Sequence, residues 1–277
     1  MEQLKEIYKQ KIITNIKSYD NNKYYYFYNH SEVFGIEKTI TKNEYELLKL
    51  KYPEKKIYAK DLFIESIYEY IYENKKYPFE MAKVHFFAYE KCKDEQDTIK
   101  EIIKGIYNKS YFIEFLNMEV VFIENNFDIP IEDIFLSLSG DLSKDIYVHV
   151  GPYINSDIKG ERLYLYLESL NTSKQRTKNN TKVTDLLFEP SINNYPKIVE
   201  FIHDTVLMPI IYKSDYYDLV VQLIKNDLNV SKTSKAMYLN RSSILLKIDN
   251  IQKETGINIQ KFSDACAIKM LISIHNI

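Results

Sequence analysis

The sequence predicts an α+β protein with three parts: an N-terminal mixed region, a ferredoxin-like middle domain and an all-α helix-turn-helix domain at the C-terminal end. Three observations predict it. Aromatic residues alternate in a hairpin pattern near the start, strand and helix patterns then follow in the order β-α-β-β-α-β, and the last part carries only helical periodicity. With 277 residues, the chain is long enough for two domains or three small ones.

Composition is that of an ordinary folded protein. Hydrophobic residues make up 45% of the chain and charged residues 27%, which supports a buried core beneath a charged surface. Two cysteines, Cys92 and Cys266, are too few for a disulfide framework and predict a reducing, cytoplasmic location. No apolar run approaches the length of a membrane-spanning helix, and the first residues lack an apolar signal region, so we expect no membrane partner.

The N-terminal mixed region spans residues 1–78. Two short aromatic strands begin near Tyr24 and Glu32 and predict a half-buried hairpin, because aromatic side chains pack well on pleated surfaces. No basic residues are interleaved with the tyrosines, which favours a structural role for the run over nucleic-acid stacking. A helix is expected after Thr41, since Glu44 stands at the spacing of a capping box.

The middle region, residues 79–182, alternates strands and helices. Apolar alternation and helical spacing predict the segments 83–90 (strand), 94–108 (helix), 111–124 (hairpin), 131–142 (helix) and 146–151 (strand). This order is that of the split βαβ, or ferredoxin-like, fold. We expect an antiparallel sheet with the helices on one face.

The C-terminal region, residues 195–277, is predicted to contain a helix-turn-helix. Asn229 or Ser231 can cap its first helix, because a short side-chain oxygen accepts an orphan backbone N–H group. Ala236 is small enough for a second helix to cross closely. Asn240 is expected in the turn, because asparagine tolerates the left-handed backbone that ends a helix.

The second helix is expected to begin at Arg241. Its buried stripe is predicted from four- and three-residue spacing at Ile244, Ile248 and Ile251. Gly256 is expected to end it, with Lys253 in the last turn, where a cation suits the helix dipole.

This region concentrates positive charge. Residues 225–261 contain seven Lys and Arg against three Asp and Glu, a local net charge of +4 in a chain whose total is −2. A helix presented in this way fits the major groove of DNA, so we expect a recognition helix at about 241–253. The predicted DNA-binding residues are Ser231, Lys232, Lys235, Asn240, Arg241, Ser242, Ser243 and Lys247. A helical bundle with a solvated lysine face is the alternative.

The residues around this pair carry a family resemblance. The pattern Asn229-Val-Ser-Lys-Thr-x-x-Ala-x-Tyr-Leu-x-Arg, followed by Thr255-Gly-Ile-Asn-Ile, resembles the DNA-binding domain of the PucR/CdaR family of bacterial transcription regulators. The resemblance implies a sequence-specific, double-stranded DNA-binding regulator of transcription, dimeric or a higher homo-oligomer, with a possible small-molecule effector. Leu245 and Leu246 depart from the arginine and tyrosine usual in that family.

The middle region is similar to the GGDEF-like domain of the same family, a relative of nucleotide cyclases. Active cyclases carry glycines and acidic residues at the central hairpin, whereas the tip is Leu116-Asn117-Met118 here. Glu114 and Glu119 alternate with large apolar residues and are expected on a solvated strand face. We therefore expect no cyclase activity.

No other pattern in the sequence indicates catalysis. The five histidines lie in different predicted elements without metal-ligand spacing, and no glycine-rich phosphate loop is present. We expect no catalytic residues, no metal site, no cofactor and no enzyme activity. The alternative function is an interaction or regulatory protein that does not bind DNA and uses the helical C-terminal domain, with Leu245 and Leu246, as a protein contact surface.

Overall fold

The structure is a computed structural model that describes residues 2–30, 32–92, 94–124, 130–172, 180–188 and 196–275. The chain forms two compact units, Met1–Pro78 and Phe79–Ile277. Both contain helices and small sheets, so the predicted α+β class is confirmed. The finer division of the second unit into two domains stays a prediction, and residues 189–195, at that junction, lie outside the described residues.

The first unit is a small sheet with three helices. Its elements are α1 (Glu2–Tyr8), β1 (Ile12–Ile13), β2 (Tyr24–Asn29), β3 (Glu32–Glu37), α2 (Lys42–Lys51) and α3 (Leu62–Glu73). The sheet is antiparallel in the order β1-β3-β2, and the predicted hairpin pairs Tyr24 with Glu37. The predicted capping box of α2 is present, because Thr41 and Glu44 exchange side-chain and backbone hydrogen bonds.

A cluster of buried charged side chains lies in this unit. Lys55 is almost fully buried, and its ammonium group forms an ion pair with Glu65 (2.9 Å) and a second one with Glu69. Glu65 also accepts hydrogen bonds from the backbone N–H groups of Tyr58 and Ala59, both at 2.7 Å. A buried ion pair tolerates loss of one partner poorly, because the remaining charge is left uncompensated.

The second unit begins with the predicted ferredoxin-like fold. Its elements are β4 (Lys83–Glu90), α4 (Gln96–Ile106), β5 (Ser110–Phe115), β6 (Met118–Ile123), α5 (Ile131–Asp141), β7 (Val148–Asn155), α6 (Gly160–Thr172) and β8 (Thr181–Lys182). The strand order is β5-β6-β4-β7-β8, and the first four strands are antiparallel to their neighbours. This is the ferredoxin-like order, with β8 added in parallel at one edge.

Helices cover both faces of this sheet, which corrects the prediction of helices on one face. On one side, Phe87 packs with Phe135 of α5 and with residues of α4. On the other side, Phe86 packs edge-on against Tyr166 of α6, which stacks on Phe201. Gly151 of β7 allows this packing, because an added Cβ would lie 2.3 Å from the Phe86 ring.

The C-terminal part of the unit is helical. Its elements are α7 (Pro196–Ile202), a π-helical turn (His203–Leu207), α8 (Met208–Ile211), α9 (Ser214–Lys225), α10 (Val230–Ala236), α11 (Arg241–Thr255) and α12 (Phe262–His275). The widened turn lies just before Pro209, whose ring and missing N–H group disfavour regular α-helical bonding. No helix among the described residues has the length and apolarity needed to cross a membrane.

The C-terminal helices are joined to the sheet by specific contacts. The Lys83 ammonium donates to the carbonyl oxygen of Lys253 in α11 (2.7 Å). The buried Thr184 hydroxyl donates to Asp264 of α12 (2.9 Å). These bonds fix the end of α11 against the sheet and the start of α12 against the segment that follows β8.

Candidate nucleic-acid interface

Both helices of the predicted helix-turn-helix begin at an asparagine cap. The Asn229 side chain accepts a hydrogen bond from the Lys232 N–H group (3.0 Å) and starts α10. The Asn240 side chain accepts from the Ser243 N–H group (2.7 Å) and starts α11. The predicted start of the second helix at Arg241 is therefore confirmed, and Asn229 supplies the first cap.

The turn between the helices differs from the prediction. Asn240 is extended, with φ −75° and ψ 158°, and the left-handed residue is Tyr238, with φ 55°. An asparagine suits a left-handed turn and a helix cap equally well, and here the capping bond takes precedence. Tyr238 is 96% exposed, so the tyrosine ring projects from the tip of the turn.

Buried residues on both helices position α11 against α10. Ile244, Ile248 and Ile251 are buried, as predicted, and Gly256 ends α11 in the left-handed conformation with φ 77°. In α10 the buried residues are Thr233 and Ser234, and the Thr233 hydroxyl donates to the Asn229 carbonyl (2.9 Å). Ala236 is exposed, so its predicted role at the helix crossing was wrong.

Five of the eight predicted DNA-binding residues lie on the exposed surface: Lys232, Lys235, Asn240, Arg241 and Ser242. Ser231, Ser243 and Lys247 are half-buried. Among the described residues, no carboxylate forms an ion pair with Lys232, Lys235 or Arg241. The helix pair therefore carries three exposed cations without a carboxylate partner in the described residues, two on α10 and one at the start of α11.

Lys247 lies in a different environment. Its ammonium group forms an ion pair with Asp215 of α9, and this hydrogen bond holds the pKa of the Asp215 carboxyl below its usual value. Lys253 is paired with Asp249 one turn earlier in α11 (2.7 Å). Part of the local net charge of +4 is therefore neutralised, because Asp215 of α9, outside residues 225–261, pairs with Lys247.

Apolar side chains share this surface with the cations. Leu246 is 61% exposed and Leu245 43% exposed, both on the outward side of α11. The family resemblance singled out Leu245 and Leu246 as departures, whereas Tyr238 belongs to the matched pattern and nothing in the sequence indicated its exposure. The surface could therefore make apolar as well as ionic contacts.

In the β5–β6 hairpin, both candidate acidic residues, Glu114 and Glu119, are paired with lysines. Glu119 is buried, where a solvated position was expected, and it forms an ion pair with Lys100 (2.9 Å) and accepts from Gln96 (2.8 Å). Burial raises the pKa of Glu119, and Lys100 opposes that rise. Glu114 is exposed, as expected, and is paired with Lys91 (2.6 Å).

No group of three His, Cys, Asp or Glu side chains among the described residues could hold a metal ion. His149 bonds to Tyr166 (2.6 Å) and Thr181 (2.7 Å), so its ring is held within the fold. His203 lies 2.9 Å from His275, a contact between residues far apart in the sequence that no spacing pattern indicates.

Comparisons with known proteins give a distant likeness to solved structures. No protein-family model and no curated protein matches the chain. Among solved structures, it is similar to a regulator of polyketide synthase expression from Bifidobacterium adolescentis, with 10% sequence identity. The match covers 77% of this chain and 92% of that chain, with a TM-score of 0.38. A likeness this distant carries no weight for fold or function.

Proposed function

We propose that this protein is a cytoplasmic, homo-oligomeric transcription regulator that binds double-stranded DNA with the first turn of α11. The observation that supports it is the exposed Arg241 at a capped helix start, without an ion-pair partner in the described residues, on a helix pair that also exposes Lys232 and Lys235. A helix N-terminus attracts phosphate, because its free N–H groups and the helix dipole are positive there. Arg241 would read base edges, and the two lysines of α10 would contact the backbone.

The test needs a bound sequence, which selection of the full chain against a random duplex pool would provide. Affinity for the selected duplex is then compared with affinity for a scrambled duplex of the same length at several salt concentrations. Arg241→Ala should reduce the preference for the selected duplex by about 1–3 kcal/mol, the value of one good base contact. Circular dichroism melting should be unchanged, because Arg241 is exposed.

Lys269→Ala provides the matched control, since this exposed lysine lies on α12 and is not among the predicted DNA-binding residues. It should leave both affinities unchanged. Equal preference in Arg241→Ala and the unmodified chain would refute Arg241 as the reading residue. Failure of any duplex to bind at low salt would refute DNA binding altogether.

We infer that the ferredoxin-like domain acts as a scaffold or sensor without enzyme activity. Its hairpin tip has Leu116 in a left-handed conformation, with φ 52°, where an active cyclase has glycine. The neighbouring Glu119 is committed to Lys100. Incubation with magnesium and nucleoside triphosphates should yield no cyclic or linear nucleotide product above background, and turnover would overturn this inference.

The alternative is a protein contact at the same surface, which the exposure of Tyr238, Leu245 and Leu246 favours. In that case the full chain would bind no duplex at low salt and would self-associate through this face. Leu246→Asp should then weaken self-association in sedimentation experiments. If Leu246→Asp leaves self-association unchanged, this alternative fails.

A further inference from the structure

A cleft of about 670 Å³ lies between the edge of the sheet and the C-terminal half of α11. Its walls are β7, β8, the first turn of α5 and the end of α11 with the loop that follows. We call it the α11 cleft and define it by Asp133, Val150, Tyr153, Lys182, Asp249 and Lys261. Its volume lies within the range of small-molecule sites, about 300–1,000 Å³.

The floor of the α11 cleft is uncharged. Val150, Val183 and Ile257 are buried apolar residues, and His85 stacks on Tyr153 with ring centroids 4.6 Å apart. The His85 Nε2 atom lies 2.6 Å from the Gly151 carbonyl, to which a neutral ring donates. Burial lowers the pKa of His85 to about 4, although this hydrogen bond opposes the shift, so the ring is neutral near pH 7.

The rim of the cleft carries charges of both signs. Lys182 is paired with Glu132 (2.8 Å), and Lys253 is paired with Asp249 (2.7 Å). Asp133 and Lys261 are exposed. Within the described part of the chain, neither forms an ion pair. The rim therefore offers one anion and one cation that are available to a ligand.

We propose that the α11 cleft binds a small zwitterion, a free amino acid or a dipeptide with an apolar side chain. Asp133 would pair with the ligand ammonium group, and Lys261 with its carboxylate. The side chain would lie on the floor formed by Val150, Val183 and Ile257. Charge-assisted hydrogen bonds of this kind are roughly twice as strong as neutral ones, which makes the two rim residues the expected determinants of affinity.

A ligand in the α11 cleft would contact one helix of the helix-turn-helix, because residues of α11 line the cleft. Asp249, Gln252 and Thr255 of α11 line it, and Arg241 lies at the other end of the same helix. A ligand that binds only the folded arrangement stabilises it by mass action. Ligand binding should therefore hold α11 against the sheet. The effect of that on DNA affinity rests on the proposed function, whereas ligand binding itself does not.

Direct titration of the full chain tests the site. The probes are the twenty common L-amino acids and a set of dipeptides of apolar residues, each followed by calorimetry and by thermal melting. At least one probe should bind saturably and raise the melting temperature. The ammonium and carboxylate groups are closer together in amino acids than in dipeptides. Comparing the two sets of probes therefore shows which separation the rim residues prefer.

Matched substitutions assign the binding to the α11 cleft. Asp133→Asn and Lys261→Gln should each weaken binding by about tenfold or more, because each removes one charge-assisted contact. Asp141→Asn on the same helix α5 and Lys269→Gln on α12 remove equivalent exposed charges away from the cleft and should leave affinity unchanged. Absence of binding by every probe at millimolar concentration would overturn the proposal, as would unchanged affinity in both rim variants.

A parallel DNA titration separates this proposal from the proposed function. If a probe binds and depends on Asp133 while no duplex binds, the DNA-binding proposal fails and the ligand site stands. If the selected duplex binds but no probe does, the ligand site fails and the DNA-binding proposal stands.

Discussion

The two ends of α11 have opposite environments. At its start, Arg241 and Ser242 are exposed and Arg241 has no ion-pair partner within the described residues. At its end, Lys253 is paired with Asp249, and the Lys253 carbonyl accepts a hydrogen bond from Lys83 of the sheet. One end of the helix is therefore presented and the other is anchored.

The contrast shows that charge content and charge availability are different properties. Lys247 adds to the positive charge of the segment, but Asp215 of α9 neutralises it locally. Arg241, at the start of α11, has no such partner among the described residues and is free to attract a polyanion. A helix anchored at its C-terminal end, with its positive N-terminal end exposed, has the arrangement by which helices enter the major groove of DNA.

The largest expected effect comes from the buried stripe that holds the helix in place. Ile248→Ala should destabilise the second unit by about 2–5 kcal/mol, because it removes buried methyl groups and leaves a cavity. Urea unfolding measures the loss. Leu246→Ala is the control on the exposed side of the same helix and should be nearly neutral. Similar losses in the two variants would contradict the assignment of buried and presented faces.

Periodicity predicted the parts of α11 that depend on local sequence. The stripe of Ile244 and Ile248, the start at Arg241 and the end at Gly256 each follow from spacing or backbone chemistry within one helix. The pairing of Lys247 with Asp215 does not, because it joins two helices whose relative position depends on tertiary packing. The sequence therefore could not show which cations are ion-paired and which are not.

The sheet shows the same limit. Alternation in β6 predicted a solvated Glu119, but Glu119 lies beneath α4, where Lys100 and Gln96 contact its carboxylate. The alternate residues of β6 are buried on the opposite face, where Phe122 packs with Phe86. The strand order follows from the β-α-β-β-α-β pattern, because few sheet topologies are compatible with that order of elements. Which faces are covered depends on α6 and α7, and their packing is not encoded in the alternation of the strand itself.

A pH dependence tests the environment of the anchored end, where His85 stacks on Tyr153. The folded pKa of His85 is lowered to about 4 from 6.5, mainly by burial, so the unfolded chain takes up this proton first. The stability that neutral His85 contributes is full above pH 6.5 and falls as the pH approaches 4. Between pH 6.5 and about 5, the loss should be about 2 kcal/mol.

The measurement is urea unfolding across this pH range, compared with His85→Gln, which cannot take up the proton. The variant should lose less stability than the unmodified chain over the same interval, since all other groups titrate alike. Equal slopes in the two proteins would mean that folding does not lower the pKa of His85.

Gly256 tests the anchor at its backbone. With φ 77°, an L-residue carries a steric cost, so Gly256→Ala should destabilise the unit by about 1–2 kcal/mol. The added Cβ would lie 3.5 Å from the Tyr153 ring, an ordinary contact, so the cost is conformational. Gly256→Asn should cost less, because asparagine tolerates this conformation. If Ala and Asn variants melt alike, backbone strain is not what ends the helix.

The smallest expected effect tests whether Lys247 can contact DNA once its ion pair with Asp215 is removed. Asp215→Asn removes the partner of Lys247 and should steepen the dependence of log affinity for DNA on log salt by about 0.9, one further phosphate contact. Stability should change by less than about 1 kcal/mol, because the pair is near the surface. Asp218→Asn, on the same helix, alters the net charge equally but frees no lysine. An equal change in both variants would mean that overall charge, rather than the release of Lys247, sets DNA affinity.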